Sequence, residues 1–110
     1  MSGAQPVTDT TYDEQVLGSP VPVVVDFTAE WCGPCRLVGP VLDELAETYS
    51  GSVRFVTVDA DTNPALVARY GIVSLPTLQF FADGELVDVL YGARPKAVLN
   101  EHVQKLVATV

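Results

Sequence analysis

Val23-Val24-Val25-Asp26-Phe27-Thr28-Ala29-Glu30-Trp31-Cys32-Gly33-Pro34-Cys35 decides how the rest of the chain reads. Val23 to Phe27 is apolar on both faces apart from Asp26, the pattern of a strand covered from both sides, which predicts a central, parallel position in a sheet. The two cysteines that follow are the only two in 110 residues. Directly after them Leu37, Val41, Leu45 and Tyr49 recur every four residues with Val38, Leu42 and Ala46 alongside, which predicts a helix with one broad apolar stripe. Asp43, Glu44 and Glu47 supply its wet face. Pro40 interrupts the hydrogen-bond ladder and predicts a kink. Ser50-Gly51-Ser52 ends the helix, and Val53 to Asp59 reads as the next strand. Strand, helix and strand of these lengths predict a right-handed βαβ unit with the thiol pair at its first strand-to-helix junction.

Toward the N-terminus, Thr11-Tyr12-Asp13-Glu14 fits a capping box with Thr11 as N-cap, opening a short helix that runs to about Leu17 and stops at Gly18-Ser19-Pro20. Val7-Thr8 reads as a short edge strand and residues 1–6 as frayed and flexible. Toward the C-terminus, Asn63 caps and Pro64 opens a short helix that Gly71 closes. Residues 72–76 form a loop, and 77–82 a strand. Asp83-Gly84 is a hairpin turn, from which 86–91 returns antiparallel before Gly92 breaks it. Pro95 starts a last helix whose core face is Val98, Leu99, Val103, Leu106 and Val107. There is no repeat, linker or low-complexity tract. The fold class is α/β, a mixed sheet with helices on both faces, in a single domain spanning 1–110.

Bulk composition narrows the function. The chain is 48% hydrophobic and 18% charged, which argues against disorder, and its formal net charge is −8. Nucleic acids and anionic membranes require basic surface, and the two lysines, Lys96 and Lys105, belong to no basic cluster. No apolar run approaches the roughly 20 residues that span a bilayer. Met1 to Asp9 lacks the charged and apolar regions of a signal peptide, so a cytoplasmic, reducing location is expected. There a Cys-x-x-Cys pair is more often catalytic or metal-binding than a staple.

Two thiols at i and i+3 in the first turn of a helix share one face, about 5–6 Å apart at Cβ, close enough for a disulfide with little backbone movement. The positive end of the helix favours thiolate at the first position. Cys32 therefore reads as the attacking nucleophile, which has to be reachable from solvent, and Cys35, one turn inward, as the resolving thiol. Gly33 leaves room for a substrate backbone, while Pro34 removes an N–H near the sulfurs and fixes the turn. Half a zinc site is the alternative, with His102 as the one further ligand candidate against the four a closed site needs. A static staple gains little from closing so short a loop. Asp26, a lone carboxylate within an apolar strand ending near the thiols, should have a raised pKa and could take the proton of Cys35, or could be a buried acid satisfied by backbone or water. Pro76, by position, reads as an ordinary strand-start proline. Trp31 could belong to the core. His102 reads as a boundary packing residue without partners, and Asp59 and Asp61 as loop and cap acids.

The run from Val25 to Cys35 closely resembles the active-site segment of the thioredoxin family. The likeness continues through Pro40, Asp59-Ala60-Asp61, Tyr70-Gly71-Ile72, Pro76-Thr77, Asp83-Gly84 and Gly92, in order from about Thr8 onward. The resemblance implies a five-stranded mixed sheet flanked by four helices. It implies a protein-disulfide reductase working as a monomer with no cofactor beyond its own disulfide, recharged by a flavin- and NADPH-dependent thioredoxin reductase. It also makes Pro76 cis and facing the thiols. Trp31, Gly33, Pro34, Val73, Leu75, Pro76, Gly92 and Ala93 are placed on a docking patch for protein disulfide substrates, whose chain lies beside Leu75. Two positions depart from the pattern: Thr28, where many members carry an aromatic residue, and Thr57, where many carry a lysine close to the buried aspartate. Losing that cation should raise the pKa of Asp26. Against the reductase stands a second function class, a thioredoxin-fold binding module whose redox activity is incidental.

Overall fold

The computed structural model describes residues 3–109. Five strands, β1 (Gln5–Pro6), β2 (Val23–Thr28), β3 (Arg54–Asp59), β4 (Thr77–Ala82) and β5 (Glu85–Tyr91), form one sheet in the order β1-β3-β2-β4-β5. Four helices accompany it: α1 (Asp13–Leu17), α2 (Gly33–Thr48), α3 (Pro64–Tyr70) and α4 (Lys96–Ala108). β2 is central, as its double-sided apolarity predicts, but only one neighbour is parallel: β3 runs with it and β4 against it. Among the described residues no helix is long and apolar enough to cross a membrane.

The period of two along β2 divides the core. Val23, Val25 and Phe27 pack on one face with Tyr12, Val16, Val56, Val58, Leu66 and Phe81, under α1 and α3. Val24 packs on the other with Val38, Leu42 and Leu45 of α2 and Leu99, Val103 and Leu106 of α4. Asp26, two residues beyond Val24, points by the same alternation to the α2 and α4 side. Its direct neighbours in register are Thr57 on β3 and Leu78 on β4.

Several local expectations shift. The edge strand is Gln5–Pro6 rather than Val7-Thr8. These residues, read as frayed, pair with Val56 and Thr57, and the Val7 N–H continues the ladder to the Thr57 carbonyl at 2.8 Å. Residues 1 and 2 lie outside the described residues. The capping box of Thr11 and Glu14 does not form. Helical bonding starts earlier, at the Thr8 carbonyl, and the Thr11 hydroxyl accepts from the Thr8 N–H at 2.9 Å, so Thr8 holds the cap and Thr11 reaches back to it. α1 then closes with a wide i→i+5 bond from the Gly18 N–H to the Asp13 carbonyl.

Leu37, assigned to the buried stripe of α2, is 71% exposed. A four-residue step advances about 40° around a helix, so the series 45, 41, 37 walks off the face that Val38, Leu42, Leu45 and Ala46 bury. Asn63 stands before Pro64 as expected, yet its side chain does not cap α3. The cap is Asp9, 56 residues earlier: its carboxylate accepts from the N–H groups of Ala65 (3.3 Å) and Leu66 (3.0 Å). Asn63 instead accepts from the Asp9 N–H and donates to the Asp59 carbonyl, tying the start of the chain to the end of β3. Gly71 ends α3 at φ +60°, a left-handed position at which a Cβ is strained.

Candidate active site

The end of β2 delivers the chain into α2 through Ala29 to Trp31. Cys32 is the residue before the first helical turn, with an extended backbone, and its sulfur accepts a hydrogen bond from the Cys35 N–H at 3.3 Å. That places one sulfur among the unpaired N–H groups at the positive end of a sixteen-residue helix. Cys32 and Cys35 are joined by a disulfide, with Cα atoms 5.3 Å apart. Both residues are nearly covered, at 4% and 5% exposure, so burial does not separate an outer thiol from an inner one. Position does: Cys32 receives the helix-end donor and Cys35 lies inside the turn.

Leu75 packs against Ala29, Cys32 and Cys35. The Leu75–Pro76 peptide is cis, and the Pro76 carbonyl accepts from the Gly92 N–H at 2.9 Å. This bond stitches the loop before β4 to the loop after β5. Gly92, at φ +82°, makes a turn there that other residues rarely adopt. Gly33, Pro34 and Val73 are exposed, Val73 at 94%, whereas Leu75, Gly92 and Ala93 are half-buried and Pro76 is buried. Trp31 is 68% exposed and outside the core. Its indole N–H donates to Asp61 at 2.8 Å, and the Asp61 N–H in turn donates to the Asp59 carboxylate at 2.9 Å. The two acids read as loop and cap residues thus hold the tryptophan beside the disulfide. Nothing local in the sequence signals it, because the partners are 30 residues apart.

Asp26 is 2% exposed, and its Oδ1 is buried without a hydrogen-bond partner. Burial alone pushes its carboxyl from the ordinary 3.8 up to about 7. No backbone or side-chain group of the described residues satisfies that oxygen. Thr57 stands directly across from Asp26 in register and brings no cation. Thr57→Lys is expected to lower the Asp26 pKa by about one unit or more, because a neighbouring ammonium favours carboxylate. NMR titration of the Asp26 side-chain carboxyl carbon reads the change, and an unshifted midpoint would remove Thr57 from the tuning. Thr28 is half-buried and forms one wall of an open cleft with Ala29, Glu30, Cys35 and Arg36, through which solvent reaches the side of Cys35.

His102 is far from these groups. Its Nδ1 lies 2.6 Å from an Asp88 carboxylate oxygen and its ring rests against Phe80, so it is a packing residue as expected but with a partner the sequence did not reveal. Its partners Asp88 and Phe80 belong to β5 and β4, while Cys32 and Cys35 are bonded to each other.

The thioredoxin family model matches residues 3–105. The chain belongs to the thioredoxin family. It is 50% identical over 105 residues to thioredoxin 1 of Nostoc sp. and 51% identical over 105 residues to thioredoxin 1 of Synechococcus elongatus, in each case across 96% of this chain and 98% of the relative. It is also 48% identical over 103 residues to the chloroplastic M-type thioredoxin of Pisum sativum, covering 94% of this chain and 60% of that one. Membership, together with the redox-active disulfide, makes this protein a thiol–disulfide oxidoreductase, a protein-disulfide reductase.

Proposed function

We propose that the protein reduces client disulfides in two directional steps, with Cys32 attacking, Cys35 resolving and Asp26 moving the proton. The observation that carries this reading is the asymmetry of the pair: Cys32 at the helix end, Cys35 within the turn, and an unpartnered buried carboxyl on the strand that leads into them. In the reduced protein, the Cys32 thiolate attacks one sulfur of a client disulfide. The client S–S bond breaks, one client sulfur leaves as thiolate and takes a proton, and the other stays bound to Cys32. The ionised Asp26 accepts the Cys35 proton, with a pKa near 7 suiting it to exchange that proton at neutral pH. The Cys35 thiolate then attacks the Cys32 sulfur, the second client thiolate departs, and the chain is left with its internal disulfide. Two electrons have passed to the client.

Trp31, Gly33, Pro34, Val73, Leu75, Pro76, Gly92 and Ala93 form the docking rim in this reading, with a client strand pairing beside Leu75. Electrons come from NADPH through a flavin-bearing thioredoxin reductase, and the protein needs no cofactor of its own. It works as a monomeric single domain in the cytoplasm, carrying electrons in cellular redox homeostasis. Reduction of insulin coupled to NADPH and a thioredoxin reductase tests the scheme. Sustained turnover is expected. Binding of clients without turnover would favour a binding module.

A further inference from the structure

Six cations stand against fourteen acids in this chain, and their placement is uneven. Arg69 pairs with Asp13 at 2.8 Å, Lys96 reaches Glu44 at 3.4 Å, and Arg54 is engaged by the backbone and side chain of Gln15. Like Arg36, which donates to the Glu30 carbonyl at 3.0 Å on the Cys35 side, and like Lys105 on α4, Arg94 is exposed and, among the described residues, enters no ion pair. Its Nε donates to the Tyr91 carbonyl at 3.1 Å, three residues back. That single bond fixes the guanidinium over the loop that carries Gly92 and Ala93 and leaves both terminal amino groups to donate outward.

This loop is the one bonded to the Pro76 carbonyl, so Arg94 lies on the Gly92 side of the rim. The acids closest to the cysteines in the chain or its contacts, Glu30 and Asp61, lie on the Trp31 side. That side carries Arg36 beside Glu30 as well, whereas Arg94 is the cation on the Gly92 side. Over a chain of net charge −8, an approaching carboxylate is repelled except where a fixed, unpaired cation meets it. A planar guanidinium held at one edge offers a bidentate face to such a carboxylate.

We propose that Arg94 is a specificity-determining residue of the docking rim, which selects client segments carrying an aspartate or glutamate within three residues of the attacked cysteine. The proposal rests on the reading of the rim and of Cys32 given above. Arg94 takes no part in the exchange of sulfurs; it sets which segment is held beside them and in which register.

The test uses a set of short peptides, each oxidised to a symmetric disulfide through its single cysteine, with Glu, Gln or Lys placed in turn at each of the three positions on either side. Initial rates for the reduced wild type, Arg94→Ala and Arg94→Glu are each divided by that variant's own rate with uncharged 2-hydroxyethyl disulfide. The division removes any change in the thiol chemistry. Wild type is expected to favour Glu over Lys about three- to five-fold at one or two positions on one side of the cysteine. Arg94→Ala should flatten that preference and Arg94→Glu invert it, with the differences shrinking at high salt. An unchanged Glu-to-Lys ratio in both variants at every position overturns the proposal. Failure of the wild type on 2-hydroxyethyl disulfide itself would instead overturn the reductase scheme on which it rests.

Discussion

Cys32→Ser is expected to bring the coupled reduction of insulin to the uncatalysed background. The loss should be complete because no second nucleophile can take over. Cys35 is the one thiol left, and it lies inside the first turn rather than at its end. A serine hydroxyl at position 32 would receive the same helix-end field, but it stays protonated at neutral pH and cannot form an S–S bond. The variant should fold as well as the wild type, since the disulfide closes a loop of three residues in sequence separation and constrains the unfolded chain little. Circular dichroism and urea unfolding of the reduced proteins check that point. Turnover by Cys32→Ser above one-tenth of wild type would mean that the attacking sulfur has been misassigned.

Asp26→Asn should be more stable than wild type at pH 8 and lose that advantage at pH 4. Well below pH 3.8 the carboxyl is neutral in both the folded and the unfolded chain. Between the ordinary value of 3.8 and the folded value of about 7, the unfolded chain ionises while the folded one does not. Stability therefore falls as pH rises through this window, by up to about 1.4 kcal/mol per pH unit, and stays low above it. Removing the ionisable group removes that fall. Burying the amide of asparagine takes back part of the gain, so a net stabilisation on the order of 2–4 kcal/mol at pH 8 is expected from urea unfolding. The same variant should resolve mixed disulfides more slowly near neutral pH, because Cys35 has lost its proton acceptor. Equal stability differences at pH 4 and pH 8 would show that folding leaves the carboxyl at its ordinary pKa, contrary to the burial described.

These two residues also mark how far the sequence could be read. Periodicity located β2, α2 and β3 because a strand apolar on both faces and a helix with a stripe are local patterns. The thiol pair was legible because its chemistry depends on a spacing of three along one helix. Asp26 was legible because a charge within an apolar strand breaks the pattern. What escaped were contacts between residues distant in the chain. The Asp9 cap on α3, the Asp61 bond to Trp31 and the Asp88 partner of His102 span 57, 30 and 14 residues, and no local rule encodes them. The errors in α1 and α2 have a different origin. A threonine three residues inside the helix mimics an N-cap, and a four-residue repeat drifts off a 3.6-residue helix until Leu37 reaches solvent. The cis form of the Leu75–Pro76 peptide came from family resemblance, since position alone pointed to an ordinary strand-start proline.

The direction of the exchange is tested most directly by trapping. Reduced Cys35→Ser and Cys32→Ser, each mixed with a slight excess of oxidised client and quenched with acid, are to be weighed intact by mass spectrometry. Cys35→Ser should be found almost wholly as a one-to-one mixed disulfide through Cys32, stable until a second thiol is added, while Cys32→Ser remains unmodified. A mixed disulfide on Cys35 in Cys32→Ser, formed as fast as that on Cys32, would contradict the assignment of attacking and resolving sulfurs.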